Sequence, residues 1–569
     1  IASNIIYGPP EVEGPWHLSF SEYLFRRLKC GGNNVAQIFS ITGAKTTYGE
    51  ILQRSVNLAQ GLTKLGVKKG DVIALSCENR FEFTICAIAV MFAGGVNATL
   101  NTMYTKDELL HTLNISKPKM VFCSSVTIQD IKNIQNSIPS IQKLIAIDLD
   151  RTDRNVLMYE DLVRSHVNIS TYRVVEVDIH DPIAILCSSG TTGMPKGVVV
   201  THHNFSVTNA HTKFFLERNG PISQQCVLLI MPWFHSYGFT THLFALNIHL
   251  KYAFLQKFAE EPFLKGIQDY KVSLLYMVPP LMVFLAKHPL VDKYDLSSLT
   301  DIWCGAAPLS KESEMAVAKR IGVKRILQAY GLTESTLAIA HNAMADVTKT
   351  GSSGKCVPGM QLKIIDLSTG EPLGPNKEGE ICAKGPMIMA GYRGDATSTQ
   401  LTVDSEGWLH TGDIGYYDEE QYFYIVDRLK ELIKYKAFQV RCGFYFFSGT
   451  YPFLKGLDKI KPHPQCKSLP VPPAELEAIL LQNPGIKDCG VVGLPDEAAG
   501  ELPLAFVVLQ PGSKLTEHQI KDFVAKKVSY HKRLHGGVIF IQEIPKNPSG
   551  KILRRELRIL LKTVKKSKL

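Results

Sequence analysis

Leu186-Cys-Ser-Ser-Gly-Thr-Thr-Gly-Met-Pro-Lys-Gly197 is the most informative stretch of the chain. An apolar run ends in small and hydroxylated residues and then a lysine. Glycines let backbone N–H groups approach an anion closely, Ser and Thr hydroxyls add donors, and Lys196 supplies charge. The pattern reads as a strand feeding a polyphosphate cradle made of Ser188, Ser189, Gly190, Thr191, Thr192, Gly193 and Lys196. It is not a Walker A loop, because Lys196 follows Pro195 and G-x-x-x-x-G-K-[ST] does not occur. The competing reading is a plain surface turn.

Outward from this loop, short apolar runs alternate with helical patterns. Val72-Ile-Ala-Leu-Ser76, Met120-Val-Phe122, Lys143-Leu-Ile-Ala-Ile147 and Ile183-Ala-Ile-Leu186 read as buried strands. Residues 50–65 read as an amphipathic helix, with Leu52, Val56, Leu58, Leu62 and Leu65 on or near one face. Residues 84–100 are strongly apolar but broken by Gly94, Gly95 and Asn97. That run is too short to span a bilayer and predicts a buried helix leading into a strand. Strands alternating with helices predict an α/β fold with largely parallel sheets. Near Val426-Asp-Arg-Leu-Lys430 a smaller α+β unit begins, with a helix at 473–481 and strands at 490–494 and 505–509.

The chain has 569 residues, 45% hydrophobic and 20% charged, enough for one large core and a smaller one. The net charge of +10 is uneven. Residues 551–569 hold eight basic residues against one acid, residues 441–471 five against one, and the remainder is close to neutral. A nucleic-acid partner would need a basic face on the folded body, so none is expected. The 12 cysteines include no CxxC pair, which suits a reducing compartment. The first residues show no secretory leader pattern, and the chain starts at Ile1 rather than Met. Ser567-Lys568-Leu569 at the other end matches the address read by the peroxisomal import receptor, so a peroxisomal enzyme is expected.

The cradle does not stand alone. Gly305-Ala-Ala-Pro308, Tyr330-Gly-Leu-Thr-Glu334, Gly407-Trp-Leu-His-Thr-Gly-Asp413, Asp427-Arg-Leu-Lys430 and Pro548-Ser-Gly-Lys551 follow it in order. Together they resemble the adenylate-forming superfamily of acyl- and aryl-CoA synthetases, peptide-synthetase adenylation domains and luciferases. The chain looks most like insect luciferase-like acyl-CoA synthetases and plant 4-coumarate–CoA ligases. The resemblance implies a large N-terminal domain of stacked, mostly parallel sheets with helices (1–426), a hinge (427–430), and a small mobile C-terminal lid (431–569). It also implies two half-reactions: ATP and a carboxylic acid give an acyl-adenylate and pyrophosphate, then coenzyme A displaces AMP.

Site roles come with the resemblance. Lys551 matches the adenylation lysine, presented by the Pro548-Ser-Gly turn. Thr333 matches a phosphate contact, and Glu334 a carboxylate linked to Mg²⁺, a hard ion that suits oxygen. Gly305, Ala306 and Ala307, with Gln328, Ala329, Tyr330 and Gly331, resemble the adenine-binding walls. Asp413 looks like the ribose acceptor, with Arg428 nearby. Lys430 and Lys434 are hinge and second-conformation candidates. Lys436 and Ala437 align with the edge of the CoA tunnel, where the family pattern has Gly after Lys. Lys257 is a candidate for the CoA phosphate. His235 matches a gating histidine, and Tyr237, Thr241, Ala306, Leu337 and Ala338 would line the acid pocket.

The resemblance leaves two activities. An acid–CoA ligase is expected, on a medium- or long-chain fatty or arylalkyl acid. The alternative is a luciferase-like oxygenase that shares the adenylation step. Luciferases of the family carry Ser where this chain has Leu337, and an apolar side chain there favours an alkyl chain. Residues 441–471 interrupt the family pattern between Gln439-Val440 and Pro472-Pro-Ala-Glu475, with Phe444-Tyr-Phe-Phe447 inside. So long a loop in so small a domain is unusual. The segment reads as foreign to the fold, an unspliced intron or gene-model error. A genuine lineage-specific loop beside the hinge, impairing the CoA step, is the alternative.

Overall fold

The computed structural model describes residues 4–149, 156–188, 195–218, 220–344, 347–429, 431, 433–437, 468–496, 500–528, 530–547 and 550–566. The chain divides into two compact units: residues 1–425 with 548–551, and residues 426–547 with 552–569.

The first unit is built on two large sheets. One has the strand order Gly391–Tyr392, Lys196–Thr201, Pro182–Ser188, Val96–Thr99, Val72–Ser76, Met120–Cys123, Lys143–Ala146, Val156–Met158. It is parallel from Pro182–Ser188 onward. The other runs Lys355–Cys356, Ala338–His341, Arg325–Gly331, Asp301–Cys304, Leu274–Met277, Cys226–Leu229, Lys251–Phe254, Val35–Phe39, Lys45–Thr47. It is parallel from Arg325–Gly331 to Val35–Phe39. Parallel strands covered on both faces must be apolar on both, which is why they read as continuous runs.

Alternation along each strand sorts side chains between layers. Ile73 and Leu75 point into a central core, as do Val227 and Leu229 from the other sheet. Val72 and Ala74 point outward onto Leu109, Leu113, Ile128 and Ile131. Cys226 and Leu228 point outward onto Phe263, Leu264, Met282 and Leu285. The central layer holds Phe81–Phe92, a helix buried on ten of its residues, with little difference between its faces. It ends at Gly94, whose φ of +73° turns the chain into Val96–Thr99. The buried helix leading into a strand expected at 84–100 is this pair. The helix expected at 50–65 is Tyr48–Lys64, with a Thr47–Glu50 capping box.

A third, antiparallel sheet orders Ile5–Tyr7, Gln361–Ile365, Gly379–Lys384, Leu409–Tyr417 and Phe423–Arg428. No described helix is long and apolar enough to cross a membrane.

The second unit has a sheet ordered Ser468–Val471, Ile433–Ala437, Gly500–Leu509, Ile486–Asp496, with Gly537–Phe540 also paired to Gly500–Leu509. Helix Pro473–Leu481 packs Leu476 and Leu480 onto it. At its centre is a charged knot. The Arg554 guanidinium donates to both Glu477 oxygens at 2.8 Å and to Glu431 at 2.7 Å. Asp427 is also buried and accepts the Ala474 N–H at 3.0 Å. Burial raises the Asp427 carboxyl and raises Glu477 to about 7, against the lowering pull of Arg554.

One expectation needs correcting here. The last residues of the interrupting segment form strand Ser468–Val471, antiparallel to Ile433–Ala437, with Val471 fully buried. Those residues belong to the fold. Residues 441–467 lie outside the described residues, as do Ser567, Lys568 and Leu569.

Candidate active site

Parallel strands of an open α/β sheet bind ligands beyond their carboxyl ends. In the nine-stranded sheet those ends deliver the expected residues together. His235 follows Cys226–Leu229, Lys257 follows Lys251–Phe254, Gly305 follows Asp301–Cys304, and Gly331 ends its own strand. Gly550 and Lys551 belong to the same unit. A Cβ at Gly550 would lie 3.2 Å from Val278 and 3.3 Å from Pro280, just past Leu274–Met277.

The Tyr330–Glu334 stretch is the tip of a hairpin. Strand Arg325–Gly331 turns through Thr333–Ser335 into Ala338–His341. A Cβ at Gly331 would come within 1.8 Å of the Leu337 carbonyl oxygen, so only glycine lets the two arms close. Thr336 adopts φ +63°, and its hydroxyl donates to the Met387 carbonyl at 2.7 Å. The Met389 N–H donates to the Glu334 carbonyl at 2.9 Å. Thr333 and Ser236 hydroxyls lie 3.0 Å apart. The Glu334 carboxylate accepts from Tyr392 at 2.8 Å, and the Lys196 ammonium sits 4.5 Å from the centre of the Tyr392 ring. Lys196, Tyr392, Glu334, Thr333 and Ser236 therefore form one connected surface.

Ser188 pairs with Lys196 across a hairpin, and its buried hydroxyl has no partner among the described residues. Ser189, Gly190, Thr191, Thr192 and Gly193 lie outside the described residues.

His235 caps helix Ser236–Asn247, its Nδ1 accepting the Tyr237 N–H at 3.3 Å. Desolvation and then the charge of Lys551 lower its pKa to about 4. The imidazole is neutral at physiological pH, and the Nδ1 bond leaves its proton on Nε2. Lys551 is thus within electrostatic reach of His235. Tyr237 and Thr241 share a face of that helix; Thr241 spends its hydroxyl on the Tyr237 carbonyl, at 2.7 Å. Leu337 and Ala338 are half-buried beyond the hairpin tip.

Gly305 would place a Cβ 3.3 Å from the Ala329 carbonyl oxygen, and Ala306 is exposed at φ +69°, with Ala307 half-buried after it. This leaves a small-residue ledge of the kind a flat base slides along. Gln328 supports it from behind: its amide donates to Glu314 at 2.7 Å and to the Leu309 carbonyl at 3.3 Å. Burial raises Glu314.

The Tyr330 hydroxyl donates to Asp413 at 2.8 Å, both buried. Glu380 orients the turn before Asp413 by accepting the Gly412 N–H at 3.0 Å and pairing with His410 at 3.1 Å. Cys382 and Glu380 raise His410 to about 10. Motif reading singled out Asp413 but missed its support, because Glu380 and Cys382 sit on another strand. Arg428 belongs to the second unit, where its N–H donates to Asp427 at 2.7 Å. Lys434, Lys436 and Ala437 lie on strand Ile433–Ala437 of that unit, and Lys430 lies outside the described residues. Lys257 is exposed.

For a divalent cation, Glu334 is the fitting donor: a half-buried carboxylate fixed through one oxygen by Tyr392, next to Thr333. Among the described residues a His/Cys/Glu group also gathers at Glu380, Cys382 and His410. Its carboxylate is spent on the His410 ring and on Gly412.

Comparison with known proteins agrees with this arrangement. Residues 24–393 match the family described as AMP-binding enzyme, and residues 475–551 match the AMP-binding enzyme C-terminal domain. The chain is 41% identical over 568 residues to luciferin 4-monooxygenase of Nipponoluciola cruciata, covering 98% of this chain and 97% of that one. It is 37% identical over 563 residues to 4-coumarate–CoA ligase 3 of Arabidopsis thaliana, covering 97% and 93%. The fold matches the crystal structure of the anthranilate CoA ligase AuaEII in complex with anthranoyl-AMP, with a TM-score of 0.82 at 21% identity over 96% of this chain and 98% of that one.

Proposed function

The chain belongs to the AMP-binding enzyme family, and on that premise we propose that it joins a carboxylic acid to AMP and then passes the acyl group to coenzyme A. The observation that carries this reading is the meeting of Lys551, neutral His235 and the Thr333–Glu334 tip beyond the carboxyl ends of one parallel sheet.

Attack of a carboxylate on the α-phosphate brings two anions together, and charge grows on the phosphate oxygens. Lys551 is the cation assigned to the α-phosphate. Lys196 and the Ser188–Gly193 loop are assigned to the outer phosphates, and Thr333 donates beside them. Mg²⁺, held at Glu334, would neutralise phosphate charge. Asp413, oriented by Tyr330, takes the ribose hydroxyls, and the Gly305–Ala307 ledge takes the base. His235 offers an uncharged Nε2–H at the mouth of the acid pocket, where a charged imidazolium would hold the carboxylate back from reaction.

The substrate is a medium- or long-chain fatty acid or an arylalkyl acid. Leu337, Ala338 and Tyr237 are the supporting residues, since they are uncharged and half-buried. Oxygenation of the adenylate is the second reading, favoured by the identity to luciferin 4-monooxygenase. Sustained light from luciferin, ATP and oxygen without added CoA would select it.

The test is ATP–pyrophosphate exchange over fatty and arylalkyl acids. Lys551→Ala should lower exchange by about 100-fold or more while thioester formation from preformed acyl-adenylate stays within a few fold. Equal loss of both steps would remove Lys551 from the adenylation role.

A further inference from the structure

Three buried rings in the first unit carry ring nitrogens that no described protein group meets. Trp303 Nε1, His341 Nε2 and both ring nitrogens of His211 have no hydrogen-bond partner, and each residue is at least nine-tenths buried. They form one cluster. Trp303 meets His341 edge-on with centroids 4.7 Å apart, and Phe215 stacks on His341 at 4.9 Å. His211 lies one helical turn before Phe215, 6.4 Å from its ring.

The protonation of these rings follows from their surroundings. The His341 Nδ1 accepts the Ala343 N–H at 2.8 Å, so its proton sits on Nε2. Burial lowers His341 to about 3 and His211 to about 4, so both are neutral. Trp303 Nε1 can only donate. Two of the three rings are therefore committed donors facing nothing. A buried donor left unmet costs about 1–3 kcal/mol, and native proteins rarely leave such groups together without something that accepts from them.

The cluster adjoins the acid pocket. Tyr276 packs edge-on to Trp303 at 5.5 Å and to Tyr237 at 6.0 Å. His341 ends the strand that Ala338 begins, and Trp303 stands three residues before Ala306. A chain of ring contacts thus runs from half-buried Tyr237 to fully enclosed His341.

The geometry points to a polar recess at the far end of the acid pocket, in which Trp303 and His341 donate to an acceptor oxygen on the distal part of the substrate. This rests on the assignment of Tyr237, Leu337 and Ala338 to that pocket. It narrows the substrate class to acids that carry an ether or carbonyl oxygen remote from the carboxylate. A site built to hydrogen-bond such an oxygen discriminates against the analogue that lacks it, because its own donors then stay unmet.

Ether-for-methylene pairs test this at nearly constant volume: para-methoxyphenylpropanoic against para-ethylphenylpropanoic acid, and an omega-methoxy alkanoic acid against the unbranched alkanoic acid of equal length. Pyrophosphate exchange and thermal shift with acid alone are measured on the full chain. In the natural protein the ether member of at least one pair should win by about tenfold in kcat/KM and in binding. Trp303→Phe should cut that preference to below about threefold, and His341→Leu should do the same, while the methylene members bind as before. Equal binding of both members of both pairs to the natural protein overturns the proposal, as it would if the recess kept a permanent water. Preference in binding without any exchange would sink adenylation and leave the recess standing.

Discussion

In the second unit, Arg554 gives its guanidinium to Glu477 twice, to Glu431 once and to the Val491 carbonyl. In the first unit, Trp303, His341 and His211 are as deeply enclosed and give their N–H groups to no described residue. Depth is the same; saturation differs. A polar group that completes its own bonding is holding structure, and a buried set with donors to spare is shaped for something that arrives. The Thr333–Glu334 tip lies between the two: its backbone is tied down, while its carboxylate has one oxygen held and the other turned to the site.

Breaking the saturated end should cost most. Arg554→Met leaves three buried carboxylates without their cation, and loss of one partner from a buried pair costs about 3–5 kcal/mol. Urea unfolding followed by a probe on the second unit should show it. A loss under about 1 kcal/mol would mean that the knot is dispensable.

The intermediate case sharpens the contrast. Tyr392→Phe removes the hydroxyl that fixes Glu334, and pyrophosphate exchange should fall about tenfold with little change in melting temperature. An unchanged rate would show that the carboxylate needs no such restraint.

The knot also has a pH signature. Glu477 is raised from 4.5 to about 7 in the folded state, so between those values the folded chain binds more protons than the unfolded one. Its contribution to stability is full below pH 4.5 and is lost as pH rises through 7. Melting of the second unit should be weaker at pH 8 than at pH 5.5, by on the order of 1 kcal/mol, and Glu477→Gln should flatten that slope.

The unsaturated end should cost least. Trp303→Phe removes an unmet donor and some ring area, so stability should change by less than about 1 kcal/mol. A loss of several kcal/mol would mean that the indole N–H has a partner after all.

These differences also explain what could be read from the sequence. Val72–Ser76 and Met120–Cys123 were legible because a strand covered on both faces must be apolar throughout. The hairpin tip was legible as a motif, although the reason for Gly331 appears only when its arms are seen to meet at the Leu337 carbonyl. Gln328 was placed on the adenine wall, and the structure turns its amide back onto Glu314, because side-chain direction along a strand depends on register. Trp303 and His341 were illegible. In a core strand an aromatic or a histidine looks the same whether or not its nitrogen finds an acceptor. The support of Asp413 by Glu380 was hidden for a similar reason, since the two residues meet only across paired strands.

The pairing of Ala437 with Ser468 has its own consequence. The chain leaves one position of the sheet and returns to the neighbouring one, so everything strung between them shares a single pair of anchor points. Closing such a span costs only about 0.6 kcal/mol more for each doubling of its length, and antiparallel neighbours can be bridged by as few as two residues. The join is in effect a socket: a tight turn, the native run or a grafted reporter domain can each be plugged in there with the strands on either side keeping their register.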